Sequence, residues 1–348
     1  CEGELELKSG PPARLFALAR ELSAVAPLYL AFDSKAARGQ ALVAGDAEIA
    51  RRSGKLDLAG KTTVGEAFQI VARQALAQIA ANAASLRVEP GPEAVHQLRV
   101  GARRLRSAFA SFRPMLQGPG LEGLEAAKVG LKWLSRSCDR ARNLDVFAEE
   151  TLRPAEVGEH PPPGLDALRR AIDMARQAAW THAGEAAASG RFRTLMIDTA
   201  AWVETGGWLS CDAAKAPIGP FAERALKHRR KALDKRRRGA RGGDDAARHH
   251  LRIEAKRLRY AIEAFESLYG HKAVERYLRR LKALLDGLGG LNDRVAAEPL
   301  IVSLSLPAEA AFAAGELVGR KAAGKAELIA RAGKAADKLV AAEPFWGR

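Results

Sequence analysis

From Thr63 onward the apolar residues recur every three or four positions, the spacing of helices that bury one face. The pattern predicts helices over 65–87, 93–112, 121–137, 143–151, 165–188, 192–204, 221–238, 245–269, 272–288 and 307–339. Between them lie Pro90-Gly91-Pro92, Gly118-Pro119-Gly120, Pro161-Pro162-Pro163-Gly164, Gly206-Gly207, Ala216-Pro217-Ile218-Gly219-Pro220 and Gly242-Gly243, where the chain has fixed or permissive backbone. The first sixty residues read differently. Glu2-Gly3-Glu4-Leu5-Glu6-Leu7-Lys8 alternates polar and apolar positions as a half-buried strand does, and Ser9-Gly10-Pro11-Pro12 ends it. A helix over 13–25, a second extended stretch over 27–32 and a linker from Ala44 to Lys61 follow. The expected class is mainly α: two pseudo-twofold-related antiparallel four-helix bundles after a short α+β opening.

Two bundles are expected because one block of sequence occurs twice. His96-Gln97-Leu98-Arg99-Val100-Gly101-Ala102-Arg103-Arg104-Leu105-Arg106 returns 153 residues later as His249-His250-Leu251-Arg252-Ile253-Glu254-Ala255-Lys256-Arg257-Leu258-Arg259. In the first copy Val95, Leu98, Ala102, Leu105, Phe109 and Phe112 form an apolar stripe, and His96, Arg99, Arg103 and Arg106 form a basic one that Arg104 widens. In the second copy the apolar stripe is Leu251, Ala255, Leu258 and Ile262. Its basic stripe is His249, Arg252, Lys256 and Arg259, flanked by Arg257. A second pair of segments also corresponds, Arg142-Asn143-Leu144-Asp145-Val146 with Asn292-Asp293-Arg294-Val295. There the Asn and Asp are expected to cap helix starts, while Lys132, Arg136, Arg140 and Arg142 lie within reach of the same basic groove. The expected division is an opening segment at 1–45, a linker at 46–62, a first bundle at 63–205 and a second at 206–340.

Charge sharpens this picture. The chain of 348 residues carries a net charge of +15, and all of it lies after residue 60. Between Arg224 and Arg259 there are fifteen Lys and Arg against four Asp and Glu. Like charges at i, i+3 and i+4 weaken a helix by a few tenths of a kcal/mol per pair, so something must compensate them. Acidic side chains on neighbouring helices would suffice. A polyanion fits better, because guanidinium forks match phosphate geometry. Lys227, Arg230, Lys231 and Lys235 place a further basic face on the preceding helix, whereas Lys235-Arg236-Arg237-Arg238 alone reads as a solvated run.

Several classes of function are disfavoured. Cys1, Cys138 and Cys211 are scattered, with neither a disulfide framework nor zinc spacing, and suit a reducing compartment. No apolar run is long enough for a membrane span, and no signal peptide is recognised. The chain opens without Met on strand-like sequence, as the remainder of a longer protein would. Glu93-x-x-His96 mimics one arm of a di-iron bundle, yet His249 has no Glu three residues before it and arginines surround both histidines. Gly60-Lys61-Thr62 resembles the end of a P-loop, but Lys55 stands where the motif needs Gly. No nucleophile with a paired base is evident, so no catalytic residue, cofactor or metal is expected. His96 and His249 are read either as phosphate donors or as hydrogen-bonders between packed helices. Phe68, Phe109, Phe112, Trp133, Phe265 and Tyr277 suit apolar helix faces better than a base-stacking platform, leaving at most weak nonspecific nucleic-acid binding. A basic face docking an acidic protein is the remaining alternative.

The repeated block, together with Leu288-Gly289-Gly290-Leu291-Asn292-Asp293, resembles the CHAD family, named for conserved histidines in an α-helical domain. The resemblance covers nearly everything after Thr63. It departs at Arg142-Asn143, where the family commonly has Arg-Asp. The resemblance implies two pseudosymmetric four-helix bundles with a basic groove or pore where they meet, binding inorganic polyphosphate without hydrolysing it. Phosphate or sulfate ions would occupy the same groove. The setting implied is cytoplasmic, in association with polyphosphate granules, with no membrane partner. Residues 1–45 resemble the C-terminal remnant of a CYTH triphosphate-tunnel domain, through Glu4-Leu5-Glu6-Leu7-Lys8-Ser9-Gly10 and Ser34-Lys35-Ala36-Ala37-Arg38-Gly39. Further basic strands and the glutamate motif of an intact tunnel are not seen, so no triphosphatase activity is expected. A CHAD segment accessory to such a triphosphatase is the alternative.

Overall fold

The computed structural model describes residues 3–43, 45, 50–117 and 121–347. Cys1, Glu2, the Gly118-Pro119-Gly120 breaker and part of the expected linker lie outside the described residues, as does the Arg38 side chain. The helices are α1 (Ala13–Val25), α2 (Lys35–Val43), α3 (Val64–Val88), α4 (Pro92–Ser111), α5 (Leu121–Ser137), α6 (Asp139–Phe147), α7 (Arg153–Glu156) and α8 (Leu165–Ala188). They continue as α9 (Gly190–Thr205), α10 (Asp212–Lys215), α11 (Ile218–Ala240), α12 (Asp245–Phe265), α13 (His271–Val302), α14 (Ala308–Ala323) and α15 (Lys325–Val340). A π-helical turn, Ala148–Leu152, joins α6 to α7. The protein is all-α, with no strand among the described residues.

Two expectations at the N-terminus are corrected. The alternating segment, over its described residues 3–8, is exposed and forms no strand. The second extended stretch, 27–32, is equally irregular. Alternation makes a strand only where a second edge takes its hydrogen bonds. The isolated bridge between Thr63 and Pro217 is instead the single β-type pairing among the described residues. Residues 35–39 lie in the first turns of α2.

The chain divides into two compact units, and neither is one continuous stretch. Unit 1 contains residues 1–55, 60–139 and 180–218, and unit 2 contains 56–59, 140–179 and 219–348.

Unit 1 is organised on the α3–α4 pair. Thr63 caps α3 reciprocally: its hydroxyl accepts from the Glu66 backbone N–H at 3.3 Å, and the Glu66 carboxylate accepts from the Thr63 N–H at 2.8 Å. The predicted stripe of α4 is core, with Val95, Leu98, Ala102, Leu105 and Phe112 wholly buried. It meets a ring cluster in which Phe68 lies edge-on to Trp208 at 5.0 Å, and Phe109 edge-on to Trp202 at 5.7 Å. Gly101 lets the two helices approach, because a Cβ there would lie 2.9 Å from Ile79 Cγ1.

Unit 2 packs α12 and α15 on α13. Leu251, Ala255, Leu258 and Ile262 are buried, as the α12 stripe predicts. The C-terminal Trp346 is buried against Tyr277, at 5.1 Å between rings. α13 does not stop at Leu288 as expected. Gly287 is the approach point for α15, where a Cβ would meet Ala332 at 3.2 Å, and Leu288, Leu291, Ala297 and Leu300 continue the buried stripe. Burial of that face outweighs the roughly 1 kcal/mol that each helical glycine costs.

Candidate functional site

In unit 1 the basic stripe of α4 is largely engaged. Arg99, with a side chain only 15% exposed, donates to the Ser135 carbonyl at 2.7 Å and ion-pairs with Asp139 at the start of α6. Arg104 donates to Gln78 at 3.2 Å on α3, and Gln78 in turn donates to Gln97 at 2.8 Å. His96 and Arg103 are half-buried, whereas Arg106 is exposed. On α5, Lys132 and Arg136 stand one turn apart, both exposed. Between them Trp133 is covered by the Arg191 guanidinium at 4.4 Å. Glu93 is tied to Arg52 at 3.3 Å and accepts from Gln97 at 2.9 Å.

In unit 2 the two recurring motifs meet. His249 Nδ1 lies 3.0 Å from Asn292 Oδ1, joining α12 to α13. The Asn292 amide points the other way, toward Asp293 at 3.4 Å, so its oxygen accepts and His249 Nδ1 donates. His249 is exposed, and Arg252 and Lys256 continue its face as half-buried residues. Arg259 pairs with Glu263 at 2.7 Å. Burial works against its charge, but the Glu263 carboxylate outweighs this and holds its pKa above the usual value. Arg257 pairs at 2.6 Å with the buried Glu254, which also faces the buried Arg229. Desolvation lowers the Arg229 pKa against the attraction of Glu254.

The basic face of α11 separates into two roles. Lys231 and Lys235 are exposed. Lys227 is exposed but ion-paired with Glu223. Arg230 instead reaches the end of α15, donating to the carbonyls of Val340 at 2.7 Å and Ala342 at 3.0 Å. Arg230 thus clamps the end of α15 through its Nη2.

The capping reading of the second motif is also corrected. Asn143 lies inside α6, and Asn292 and Asp293 lie deep inside α13. Asn143 and Asp293 line a small cavity of about 30 Å³ with Thr151 and Lys321. Burial lowers the Lys321 pKa against the attraction of Glu150 and Asp293. Arg142, beside Asn143, is half-buried.

One set of cations escaped the sequence reading. Lys272, Arg276, Arg279, Arg280 and Lys282 are exposed along α13. Their spacing was legible, but the repeated block on α12 drew the assignment away from them. The carboxylates of the opening segment are engaged locally, Glu4 with Lys35 at 3.1 Å and Glu6 with Lys8 at 2.9 Å. Among the described residues no three metal-ligating side chains come together, and no helix is long and apolar enough to cross a membrane.

An all-α protein with a duplicated basic helix is the class this arrangement defines. Residues 70–302, about two thirds of the chain, match the CHAD domain model, and the chain belongs to that family. The crystal structure of the CHAD domain from the plant Ricinus communis is similar over 85% of this chain and 98% of its own, with 31% identity and a TM-score of 0.73. PptA from Streptomyces chartreusis shares the fold over 79% of this chain and 99% of its own, at 20% identity and a TM-score of 0.56. No curated protein sequence matches the chain.

Proposed function

We propose that this protein binds inorganic polyphosphate, without hydrolysing it, through the basic helix faces of its two units. The observation that carries the reading is the α12 face. His249 is anchored by Asn292, and Arg252 and Lys256 follow at helical spacing, in the stretch where fifteen basic residues stand against four acidic ones. Membership of the CHAD family supports the same reading. Exposed Arg279 and Lys282 on α13, Lys231 and Lys235 on α11, and Lys132 and Arg136 on α5 supply further cations. A polymer with about one charge per phosphate would gain affinity from many such contacts and from counterion release, as nucleic acids do. Free phosphate or sulfate would compete at the same positions. The reading carries with it a cytoplasmic protein associated with polyphosphate granules.

Nucleic acid is the second reading, favoured only by the charge. One face of Trp133 is already taken by Arg191, which leaves it a poorer platform for a base. The resemblance of residues 1–45 to a CYTH remnant rests on the motifs quoted above, and would make this segment the tail of a triphosphate-binding neighbour. The deciding experiment is a competition titration. Long-chain polyphosphate is expected to displace duplex DNA at equal phosphate concentration, and the reverse order would overturn the assignment. Calorimetry with chains of graded length at two salt concentrations would give the span of the basic surface.

A further inference from the structure

The two repeats differ at one position beside their shared arginine. Arg99 and Arg252 are equivalent in the repeated block. In the second motif Arg142-Asn143 corresponds to Asn292-Asp293, an offset of 150 residues. The same offset matches buried Leu131, Leu134, Cys138 and Ala141 with buried Leu281, Leu284, Leu288 and Leu291. It places Asp139 on Gly289.

Asp139 is the carboxylate that Arg99 holds. In unit 2 the packing of α12 on α13 has the matching register. His249 touches Asn292, and one turn onward along α12 and one turn back along α13 bring Arg252 opposite Gly289. The position that holds a carboxylate in unit 1 therefore holds no side chain in unit 2.

The three glycines of this part of α13 are not alike. A Cβ at Gly287 would meet Ala332 at 3.2 Å, and one at Gly290 would meet Leu328 at 3.3 Å, so both serve the packing of α15. A Cβ at Gly289 would meet nothing within 4 Å. Packing does not account for Gly289, although glycine inside a helix carries a stability cost. It leaves a recess beside the His249 and Arg252 face.

We propose that this recess seats a phosphoryl group of the bound chain, and that Asp139 is a built-in anion occupying the equivalent seat of the first repeat. The first repeat supplies that seat with a carboxylate of its own, whereas the second leaves it open to an anion from solution. The inference rests on the polyphosphate reading and deepens it, because it makes the two repeats unequal in ligand affinity.

Reciprocal substitution tests it, with long-chain polyphosphate as titrant and thermal unfolding as the control. Gly289→Asp is expected to weaken binding by about tenfold or more, the scale of removing one charge-assisted hydrogen bond and placing a negative charge against the phosphate. Gly289→Ala, whose methyl enters open space, should raise the unfolding midpoint while weakening binding by a smaller factor. Asp139→Gly should tighten binding by about threefold or more, or add a second equivalent of phosphate chain, as an occupied seat becomes open. Wild-type-like binding by both Gly289→Asp and Gly289→Ala would overturn the inference alone. Unchanged binding by a folded Asp139→Gly protein would overturn the role given to Asp139. A wild-type protein that binds no polyphosphate would overturn the functional reading, and this inference with it.

Discussion

Arg230 donates to the backbone carbonyl of Val340 at 2.7 Å, so a cation from the most basic stretch of the chain holds the end of the last helix. Its neighbour Lys231 is exposed. Adjacent residues in one charge run thus belong to different tasks. Arg230→Ala is expected to cost about 2 kcal/mol of stability, because two carbonyls lose a charged donor. Lys231→Ala should leave stability unchanged and lower the salt dependence of polyphosphate binding by about one unit of slope. Urea titration and binding isotherms at graded salt separate the two.

The orientation of His249 sets what it can offer a ligand. With Nδ1 donating to Asn292 Oδ1, Nε2 is the ring nitrogen left for a phosphate chain. His249→Ala is expected to weaken polyphosphate binding by about threefold or more. Binding isotherms of the variant check it, and wild-type affinity would place His249 outside the ligand contacts.

Gly101 marks where α3 and α4 come closest. A methyl group there would lie 2.9 Å from Ile79 Cγ1 and 3.3 Å from the Ala75 carbonyl, so the helices must part. Gly101→Ala should destabilise the protein by about 1–2 kcal/mol, the overpacking cost exceeding the gain in helix propensity. A chemical denaturation curve with a lower midpoint and unchanged slope is the expected result.

Asp337 ties α15 to the end of α11. The Arg241 hydrogen bond holds its pKa below the usual 3.8 against desolvation, and Arg237 adds to the lowering. A carboxylate with a depressed folded pKa stabilises the fold above its unfolded pKa. That contribution fades as pH falls through the lower folded value. Below about pH 4 the wild type should therefore lose stability more steeply than Asp337→Asn, which thermal unfolding across an acid series would reveal.

Much of this was legible in the sequence because burial follows periodicity. The limits predicted for α5 and α8 match the observed helices, and the α4 stripe is core residue by residue. The extension of α13 was hidden by Gly289-Gly290, a pair that ordinarily marks a stop, while the apolar face beyond it carried the helix on. The strand expected near Leu5 failed for the opposite reason, since alternation says nothing about a partner edge. For the site, helical spacing put His249 and Arg252 on one face, but could not show that Arg99 is held by Asp139 or that Arg230 reaches the end of α15. Arg99 and Arg252 hold the same place in the repeated block, whereas Asp139 and Gly289 differ.

The interleaving of the two units bears on how this protein can be made. Residues 140–179, which bury Leu168 and Ile172, belong to a unit whose remaining bulk is encoded after residue 218. During synthesis those apolar side chains emerge well before the rest of their unit. A cut between the repeats would strand them permanently. Despite the repeated block, two halves cut between the repeats should recover a native fold only when produced together.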